Sequence, residues 1–488
     1  MSVAPKEQAV VDRVSKQLLI GGRWRDAGDG GKLAVEDPST GETLTEVADG
    51  TADDAKAALA AAHEAQAEWA ATPPNTRSEI LQKAFEALNE RADDLALLMT
   101  LEMGKPITES KGEIAYASEF FRWFAGEALR IDGVYKVAGN GSGRVLVMRQ
   151  PVGPCLMITP WNFPTAMGTR KIGPAIAAGC TMVVKPAQQT PLSMLALAEV
   201  LAECGLPEGV LNVITSSSSG ATMGPLIDDP RARKLSFTGS TEVGRSLIEQ
   251  SAGQVLKVSM ELGGNAPFVI FEDADLDAAL EGAMIAKMRN VGEACTSANR
   301  FHVADSVAGE FAEMLGERMG AMKVGRGTED GVEVGPLIDD DQRSKVAELV
   351  EDATGKGASA VVGGRRVDGS GYFYEPTVLR DVSDDARLLK EEIFGPVAPV
   401  KGFSSEEEAV AAANDTELGL VSYVYTSDLK RALRVCEGLQ TGMIGLNQGL
   451  VSNAGAPFGG VKQSGVGREG GNEGIAEYLE TKYVAVNL

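Results

Sequence analysis

The chain of 488 residues is long enough for two or three domains with sizeable hydrophobic cores. Its 46 Lys and Arg residues stand against 69 Asp and Glu residues, which gives a formal net charge of −23. This charge argues against nucleic acid or an anionic membrane surface as a partner, although a local cationic pocket could still bind an anionic substrate. The chain has no stretch of 18 apolar residues, and residues 1–16 lack the apolar segment of a signal peptide, so we expect a soluble, cytoplasmic protein.

Cysteine and histidine are sparse. The five cysteines show no CxxC pair and no metal-ligand spacing, so the sequence predicts no metal site. An odd, scattered set of cysteines is typical of a reducing compartment. Since only two histidines occur, a zinc hydrolase or a Ser-His-Asp enzyme is disfavoured, and a carboxylate is the expected general base.

The first part of the chain predicts a hairpin followed by helices. Residues 17–26 have strand patterning around a Gly-Gly turn, and Thr51 with Asp54 resembles a capping box that opens an Ala-rich helix. A second helix is expected to start near Asn75 after two prolines and to run to residues 104–106. A third follows, up to about residue 129.

From residue 144 onward, short apolar strands alternate with helices in two series. This alternation predicts an α/β fold with two parallel-sheet domains whose sheets are covered on both faces. The expected strands lie at 154–158, 181–185, 211–214, 234–237 and 255–260 in the first series, and near 267–271, 300–303, 359–362 and 443–446 in the second. A tail strand at 478–488 is expected to pair with residues 130–149 as a projecting arm.

Three segments carry chemistry that fits covalent catalysis on a carbonyl. Cys295 has polar neighbours, whereas Cys155, Cys180, Cys204 and Cys436 stand in apolar contexts that suit small buried side chains. Glu261 follows a β-prone run and precedes two glycines, and Asn162 lies in the Pro-marked turn 159–164. A thiol could attack, an amide could hold the oxyanion, and a carboxylate could activate water. The plain alternatives are a buried cysteine and a solvated carboxylate at a strand end.

Two further segments bear on nucleotide binding, and a third is rejected. The run 235–244 predicts a strand, a glycine turn at Gly239 and a helix starting near Ser240, which is an arrangement that attracts phosphate. Lys185 ends a predicted strand, where ligands bind in open α/β sheets, although an ordinary solvated lysine is the alternative. The GxGxxG match at 465–470 has no room for a βαβ unit after it, so we interpret it as a loop.

Taken together, these segments resemble the aldehyde dehydrogenase superfamily along nearly the whole chain. The resemblance is densest at 158–164, 234–240, 261–268, 457–465 and 478–483, and it is strongest to the bacterial succinate-semialdehyde dehydrogenases. It implies that Cys295 adds to an aldehyde, and that the Asn162 side chain and the Cys295 backbone N–H hold the oxyanion. Hydride passes to a nicotinamide, and Glu261 then activates the water that releases the acid.

The resemblance also implies the remaining site residues. The positions that match cofactor contacts are Thr159, Trp161, Lys185, Gln188, Gly239, Ser240, Leu262 and Glu392. Gln188 stands where an acidic residue would repel a 2′-phosphate, so we expect NADP, with NAD as the alternative. The positions that match those binding a substrate carboxylate in relatives are Arg170, Arg289 and Ser452. Arginine suits this role because its planar guanidinium group can bond a carboxylate at two places.

The expected reaction is the oxidation of succinate semialdehyde to succinate. Glutarate semialdehyde or a broader range of aldehydes is an alternative. A cysteine-dependent ester hydrolase, which would need no nucleotide, and a non-enzymatic cofactor-binding or structural protein are alternatives of other classes. Two departures from the family pattern matter: Glu293 replaces a glutamine before the cysteine and is expected to point away from it, and Ser297 replaces a second cysteine found in some relatives.

The resemblance gives each predicted domain a role. Residues 1–129 and 150–261 are expected to form the Rossmann-like cofactor domain, and 262–458 the catalytic domain. Residues 130–149 and 459–488 are expected to form a β arm that joins copies into a homodimer or homotetramer.

Overall fold

The computed structural model describes residues 4–487. Its α-helices are α1 (Pro5–Arg13), α2 (Ala52–Ala71), α3 (Pro74–Glu90), α4 (Ala92–Met103), α5 (Ile107–Ala128), α6 (Ala166–Ala178), α7 (Pro191–Glu203), α8 (Ser219–Ile227), α9 (Thr241–Ser251), α10 (Leu276–Met288), α11 (Asp305–Gly320), α12 (Asp340–Gly355), α13 (Glu406–Asn414), α14 (Leu429–Gly438) and α15 (Gly471–Ala476). Short 3-10 helices occupy Arg289–Gly292 and Arg387–Leu389. In the described part of the chain, no helix is both long enough and apolar enough to cross a membrane.

The strands follow the same chain order. They are β1 (Leu18–Ile20), β2 (Arg23–Arg25), β3 (Lys32–Asp37), β4 (Glu42–Ala48), β5 (Val134–Val137), β6 (Arg144–Pro151), β7 (Cys155–Ile158), β8 (Met182–Lys185), β9 (Leu211–Val213), β10 (Lys234–Thr238), β11 (Lys257–Glu261), β12 (Ala266–Ile270), β13 (Ala298–Ala304), β14 (Ser359–Val362), β15 (Thr377–Arg380), β16 (Val397–Phe403), β17 (Leu418–Gly419), β18 (Val421–Tyr425), β19 (Met443–Leu446), β20 (Val461–Lys462), β21 (Gly465–Val466) and β22 (Leu479–Val486).

The first large sheet has the strand order β2-β1-β9-β8-β7-β10-β11-β21. Its five inner strands, from β9 to β11, are parallel, and they are the five strands predicted in the first series. The predicted hairpin is also confirmed, since β1 and β2 pair antiparallel and add to one edge. Each inner strand is largely buried, which fits a parallel sheet covered on both faces.

The second large sheet has the order β14-β15-β16-β13-β12-β18-β19. The strands predicted in the second series correspond to β12, β13, β14 and β19, whereas β15, β16 and β18 were not predicted. β14 was expected in a parallel series, and this is wrong, because it pairs antiparallel with β15. No helix lies between these two strands, so the chain has no crossover that would make them parallel. The fold is therefore α/β with two mixed, mainly parallel sheets.

A third, three-stranded sheet forms the arm, in the order β22-β6-β5. β22 runs antiparallel to β6 over eight residue pairs, as the tail was expected to do. β20 and β21 also lie within 459–488, yet they pair with β17 and β11 rather than with the arm. The domain boundaries themselves stay a prediction.

The helices before residue 129 differ from expectation at one point. The Thr51–Asp54 capping box is confirmed, with the Asp54 N–H donating to the Thr51 hydroxyl. The single helix expected between residues 75 and 103 is wrong, because α3 ends and α4 begins around Arg91, whose φ is −103° and ψ is 12°. Neither glycine nor proline stands at this break, so local sequence does not signal it.

A buried ion pair joins this helical region to the first sheet. Lys105 and Glu113 are both fully buried, and the Lys105 Nζ lies 2.6 Å from the Glu113 Oε2. The same Nζ donates to the Asn162 carbonyl oxygen at 2.6 Å. The Glu113 Oε1 accepts from the backbone N–H groups of Thr165 and Ala166, where α6 begins. The pair thus fastens α5 to the turn that follows β7.

We expect Lys105→Met to destabilise the protein by about 3–5 kcal/mol, because it leaves the Glu113 carboxylate buried without its cation. The measurement is the midpoint of urea unfolding. Lys111→Met is the matched control, since Lys111 pairs with Asp93 on an exposed surface and its loss should hardly move the midpoint. Equal shifts for the two variants would contradict a structural role for the buried pair.

Candidate active site

Four neighbouring parallel strands end at one edge of the first sheet. The register places Ile158 of β7 beside Lys185 of β8 and beside Phe237 of β10. One residue further, Thr238 of β10 lies beside Glu261 of β11. Because the carboxyl ends of parallel strands meet at the same edge, the predicted motifs that follow these strands are brought together there.

A cavity of about 220 Å³ opens at this edge. It lies between the turn after β7, the end of β11 and the segment before β13. Eleven of the predicted site residues line it: Trp161, Asn162, Arg170, Gly239, Ser240, Glu261, Leu262, Arg289, Cys295, Glu392 and Ser452. Thr159, Lys185 and Gln188 are not among its lining residues, and they lie along the same sheet edge beyond the cavity.

Cys295 follows an unusual stretch of backbone. α10 ends at Met288, and Asn290, Val291 and Gly292 then have φ values of 55°, 58° and 78°. This left-handed region is costly for a β-branched residue such as Val291. On the other side of the thiol segment, a Cβ added to Gly264 would lie 2.3 Å from the Cys295 carbonyl oxygen. The backbone around Cys295 is therefore closely packed.

Burial dominates the electrostatics of the thiol. It raises the pKa of Cys295 to about 12, while the positive charges of Arg170 and Arg289 act in the opposite direction. Glu293 does not line the cavity, and its Oε1 accepts a hydrogen bond from the Ile338 N–H at 3.1 Å, so the expected orientation away from Cys295 is confirmed. Burial raises the pKa of the Glu293 carboxyl well above its usual range, which favours its neutral form.

Asn162 is held in place by a network of buried hydrogen bonds. Its Nδ2 donates to the Glu293 carbonyl oxygen at 3.0 Å, so its amide reaches the segment that carries Cys295. The backbone carbonyl oxygen of Asn162 accepts from the Lys105 Nζ at 2.6 Å and from the Asn290 Nδ2 at 3.0 Å, and its side-chain Oδ1 accepts from the Phe163 N–H at 3.1 Å. An amide fixed in this way is suited to hold an oxyanion without reorganisation.

Glu261 is buried, and neither of its carboxyl oxygens has a hydrogen-bond partner among residues 4–487. Burial raises its pKa well above the usual range, and nearby Glu469 acts in the same direction. The carboxyl group lines the cavity and is not held by any other group of the described residues. A raised pKa also makes its carboxylate a stronger base when ionised.

Glu469 was not proposed as a site residue, because it lies in the GxGxxG stretch that the sequence favours as a loop. The structure places its carboxylate between Arg170 and Lys171, where the Lys171 Nζ is 2.5 Å from it and Arg170 forms an ion pair with it. All three side chains are buried. The partner residues lie about 300 positions earlier in the chain, so no local signal could have indicated the contact.

Arg289 and Ser452 meet at the other end of the cavity. The Arg289 Nη1 donates to the Ser452 Oγ at 2.9 Å. The guanidinium carbon of Arg289 lies 4.8 Å from the centre of the Phe163 ring. Within the described residues Arg289 forms no ion pair, whereas Arg170 is matched by Glu469. Arg289 therefore carries the positive charge that an anionic ligand in this cavity would meet.

The polar groups along this sheet edge, within the cavity and beyond it, fit a dinucleotide. The Ser240 side chain caps α9, and Gly239 leaves the preceding turn without a side chain, so free N–H groups of the helix start can face a phosphate. The Thr159 hydroxyl is buried and lacks a hydrogen-bond partner among residues 4–487, and burial lowers the pKa of Lys185 to about 8. Gln188 is exposed, and the Glu392 Oε1 accepts from the Gly264 N–H at 3.0 Å.

Comparison with known proteins places these features in a family. Residues 24–484 match the model of the aldehyde dehydrogenase family. The chain is 57% identical over 443 residues to the succinate-semialdehyde dehydrogenase of Paenarthrobacter nicotinovorans, covering 91% of this chain and 98% of that protein. It is 50% identical over 473 residues to the glutarate-semialdehyde dehydrogenase of Pseudomonas putida, with coverage of 97% and 98%. A crystal structure of an NADP-dependent enzyme from E. coli has a TM-score of 0.96, 50% identity and coverage of 97% and 98%. The chain belongs to the aldehyde dehydrogenase family.

Proposed function

We propose that this protein oxidises succinate semialdehyde to succinate and reduces NADP in the same reaction. One observation carries the proposal: the Cys295 thiol and the unpaired Arg289–Ser452 group line the same cavity. A short aldehyde with a carboxylate at its far end could place its carbonyl carbon at the thiol and its carboxylate at Arg289 and Ser452. The identity to a succinate-semialdehyde dehydrogenase over 91% of the chain supports this choice of substrate.

The first half of the reaction takes place at Cys295. The thiolate, which the charges of Arg170 and Arg289 favour against the effect of burial, forms a C–S bond to the aldehyde carbon, and the C=O electron pair moves to the oxygen. The Asn162 side-chain amide and the Cys295 backbone N–H stabilise the resulting oxyanion of the thiohemiacetal. The bound nicotinamide supplies the hydride acceptor. Loss of hydride from the carbon leaves a thioester on Cys295.

The second half depends on Glu261. Its carboxylate takes a proton from water, the water oxygen attacks the thioester carbon, and the C–S bond breaks with return of the electron pair to sulfur. The acid is released, and Cys295 is a thiolate again. The cations around Glu469 lie close to Glu261 and favour its charged form, which opposes the effect of burial.

The cofactor side of the proposal rests on the sheet edge. Lys185, Gln188 and Thr159 would hold the adenosine ribose, the turn at Gly239 and Ser240 would hold the phosphates, and Glu392 would hold the nicotinamide ribose. Trp161 and Leu262 would flank the nicotinamide. NADP is supported by the neutral, exposed Gln188 and by the similarity to an NADP-dependent enzyme from E. coli. NAD is the alternative.

Glutarate semialdehyde is a second candidate substrate, because the chain is 50% identical to a glutarate-semialdehyde dehydrogenase. Both compounds present an aldehyde and a remote carboxylate and differ by one methylene group. An ester hydrolase remains the alternative of another class, and it would act without a nucleotide.

The arm supports assembly into a homodimer or homotetramer. Val134, Tyr135 and Val137 of β5 and Tyr483 of β22 are each more than 40% exposed on it. Such a group of exposed apolar side chains is typical of a contact between subunits. Light scattering of the purified chain distinguishes the two assemblies. A cytoplasmic location is also part of the proposal, and the five unpaired cysteines suit a reducing compartment.

Glu261→Gln should give a burst of NADPH and then stall, because an amide cannot take the proton from water and thioester accumulates. Stopped-flow absorbance at 340 nm measures the burst, and mass spectrometry detects acylated Cys295. Cys295→Ala serves as the control and should show no burst. Normal steady-state turnover of Glu261→Gln would remove Glu261 from the role of base.

Gln188→Glu should shift the cofactor preference toward NAD, since the new carboxylate would repel a 2′-phosphate and accept a hydrogen bond from a free ribose hydroxyl. The measurement is the ratio of kcat/KM for NADP and NAD. Gln254→Glu adds the same charge at an exposed position just before β11, at the end of that strand away from Glu261. It should leave the ratio unchanged. An unaltered ratio for Gln188→Glu would show that this residue does not face the ribose.

Arg289→Ala should lower kcat/KM for succinate semialdehyde by about 10- to 150-fold, since hydrogen bonds to charged groups contribute roughly 1.5–3 kcal/mol. Butanal has no carboxylate and should lose far less. Initial rates at 340 nm with butanal, succinate semialdehyde and glutarate semialdehyde, with and without nucleotide, test the proposed function as well. Arg380→Ala, at an exposed ion pair, is the control. Equal losses for charged and uncharged aldehydes would make Arg289 structural.

A further inference from the structure

The hydroxyl of Tyr116 is a buried polar group to which the reaction above assigns no role. Tyr116 lies on α5, and its side chain is half-buried. Its Oη is shielded from solvent and has no hydrogen-bond partner in the part of the chain that the structure describes. Buried hydroxyls in folded proteins nearly always have a partner, so this one is expected to meet a group that binds in the cavity.

The position of Tyr116 shows which ligand group it would meet. It lines the cavity that holds Cys295, and it also lines the opening of about 840 Å³ that leads to this cavity. Arg289 and Ser452 line both spaces as well. The Arg289 guanidinium carbon lies 5.6 Å from the centre of the Tyr116 ring. We call these three residues, which line both spaces, the polar corner.

Packing holds the tyrosine ring in this corner. Its ring meets Phe120, one helical turn further along α5, edge to face with centroids 4.9 Å apart. The preceding and following turns of α5 are fixed by the buried Glu113 and by Phe120 itself, which is fully buried. A side chain anchored in this way presents its hydroxyl with little loss of conformational freedom on binding.

The corner offers donors that match a carboxylate. Two carboxylate oxygens together can accept about four hydrogen bonds. The Ser452 oxygen already accepts from Arg289, so its own hydrogen is free to donate. The remaining guanidinium N–H groups of Arg289 and the Tyr116 O–H supply further donors. Arg170 contributes less, because its charge is matched by Glu469.

We infer that the Tyr116 hydroxyl donates a hydrogen bond to the remote carboxylate of the substrate, together with Arg289 and Ser452, and that Tyr116 is a specificity-determining residue for carboxylated aldehydes. This inference rests on the proposed function, since it takes a carboxylated aldehyde as the substrate. It assigns the phenol to recognition of the substrate, at the end of the cavity away from the reacting carbon.

Tyr116→Phe tests the inference, because it removes the hydroxyl and keeps the ring that packs on Phe120. We expect kcat/KM for succinate semialdehyde to fall about tenfold, the size of effect typical of a hydrogen bond to a charged group. The loss should lie mainly in KM, since this contact is made in the ground state as well as in the transition state. Butanal should change less than twofold, and the inhibition constant of succinate as product should rise.

Tyr372→Phe is the matched control, because it removes a hydroxyl whose hydrogen bond to Glu36 lies at the surface outside the cavity, and it should leave both aldehydes unchanged. Equal losses of Tyr116→Phe for succinate semialdehyde and butanal would overturn the inference and make the hydroxyl structural. An unchanged kcat/KM for succinate semialdehyde would overturn it too. If the wild-type protein shows no preference for succinate semialdehyde over butanal, the proposed function itself fails. This outcome is distinct from a failure of the Tyr116 inference, which is seen only in the variant.

Discussion

The buried ion pair between Lys105 and Glu113 is the interaction on which the arrangement of the site depends. Both charges are removed from water, which is tolerable because Glu113 accepts from Lys105 and from two backbone N–H groups, and Lys105 also donates to a backbone carbonyl oxygen. The lysine holds the carbonyl oxygen of Asn162, and the glutamate holds the start of α6. Asn290 binds the same carbonyl oxygen from the thiol side. One pair thereby links the turn that carries Asn162, after a strand of the first sheet, to the segment that carries Cys295, before a strand of the second.

A second constraint is the division of charge inside the cavity. Two cations, Arg170 and Lys171, share one carboxylate, Glu469, close to Glu261. At the opposite end, Arg289 has a hydroxyl as its partner and no carboxylate within the described residues. The site therefore contains one charge-balanced region next to the base and, next to the opening, one arginine without an ion pair. An otherwise acidic protein can attract a small anion only through such a local imbalance.

The sequence predicts those parts of the structure that are determined by residues close together in the chain. The strand end at Lys185, the strand end at Thr238 (predicted one residue earlier), the Thr51 cap and the β6–β22 pairing follow from patterning, turns and length. The break at Arg91 and the strand β16, whose Pro399 and Gly402 read as turn signals, depend on packing instead. Glu469 and the left-handed backbone at Asn290 and Val291 are set by contacts with distant segments, so they could not be predicted locally.

Several contacts of this fold can form only after segments beyond residue 460 have been synthesised. β20, β21 and β22 each complete a different sheet by pairing with strands that precede them, and Glu469 lies between the last two. The first sheet can form much of its parallel core while synthesis continues, because domains fold as their residues emerge. Arg170 and Lys171, however, stay without their counter-charge until residue 469 has left the ribosome. A chain that lacked this segment would carry the thiol and the base without that counter-charge, so the charge balance around Glu261 depends on a segment far along the chain from both.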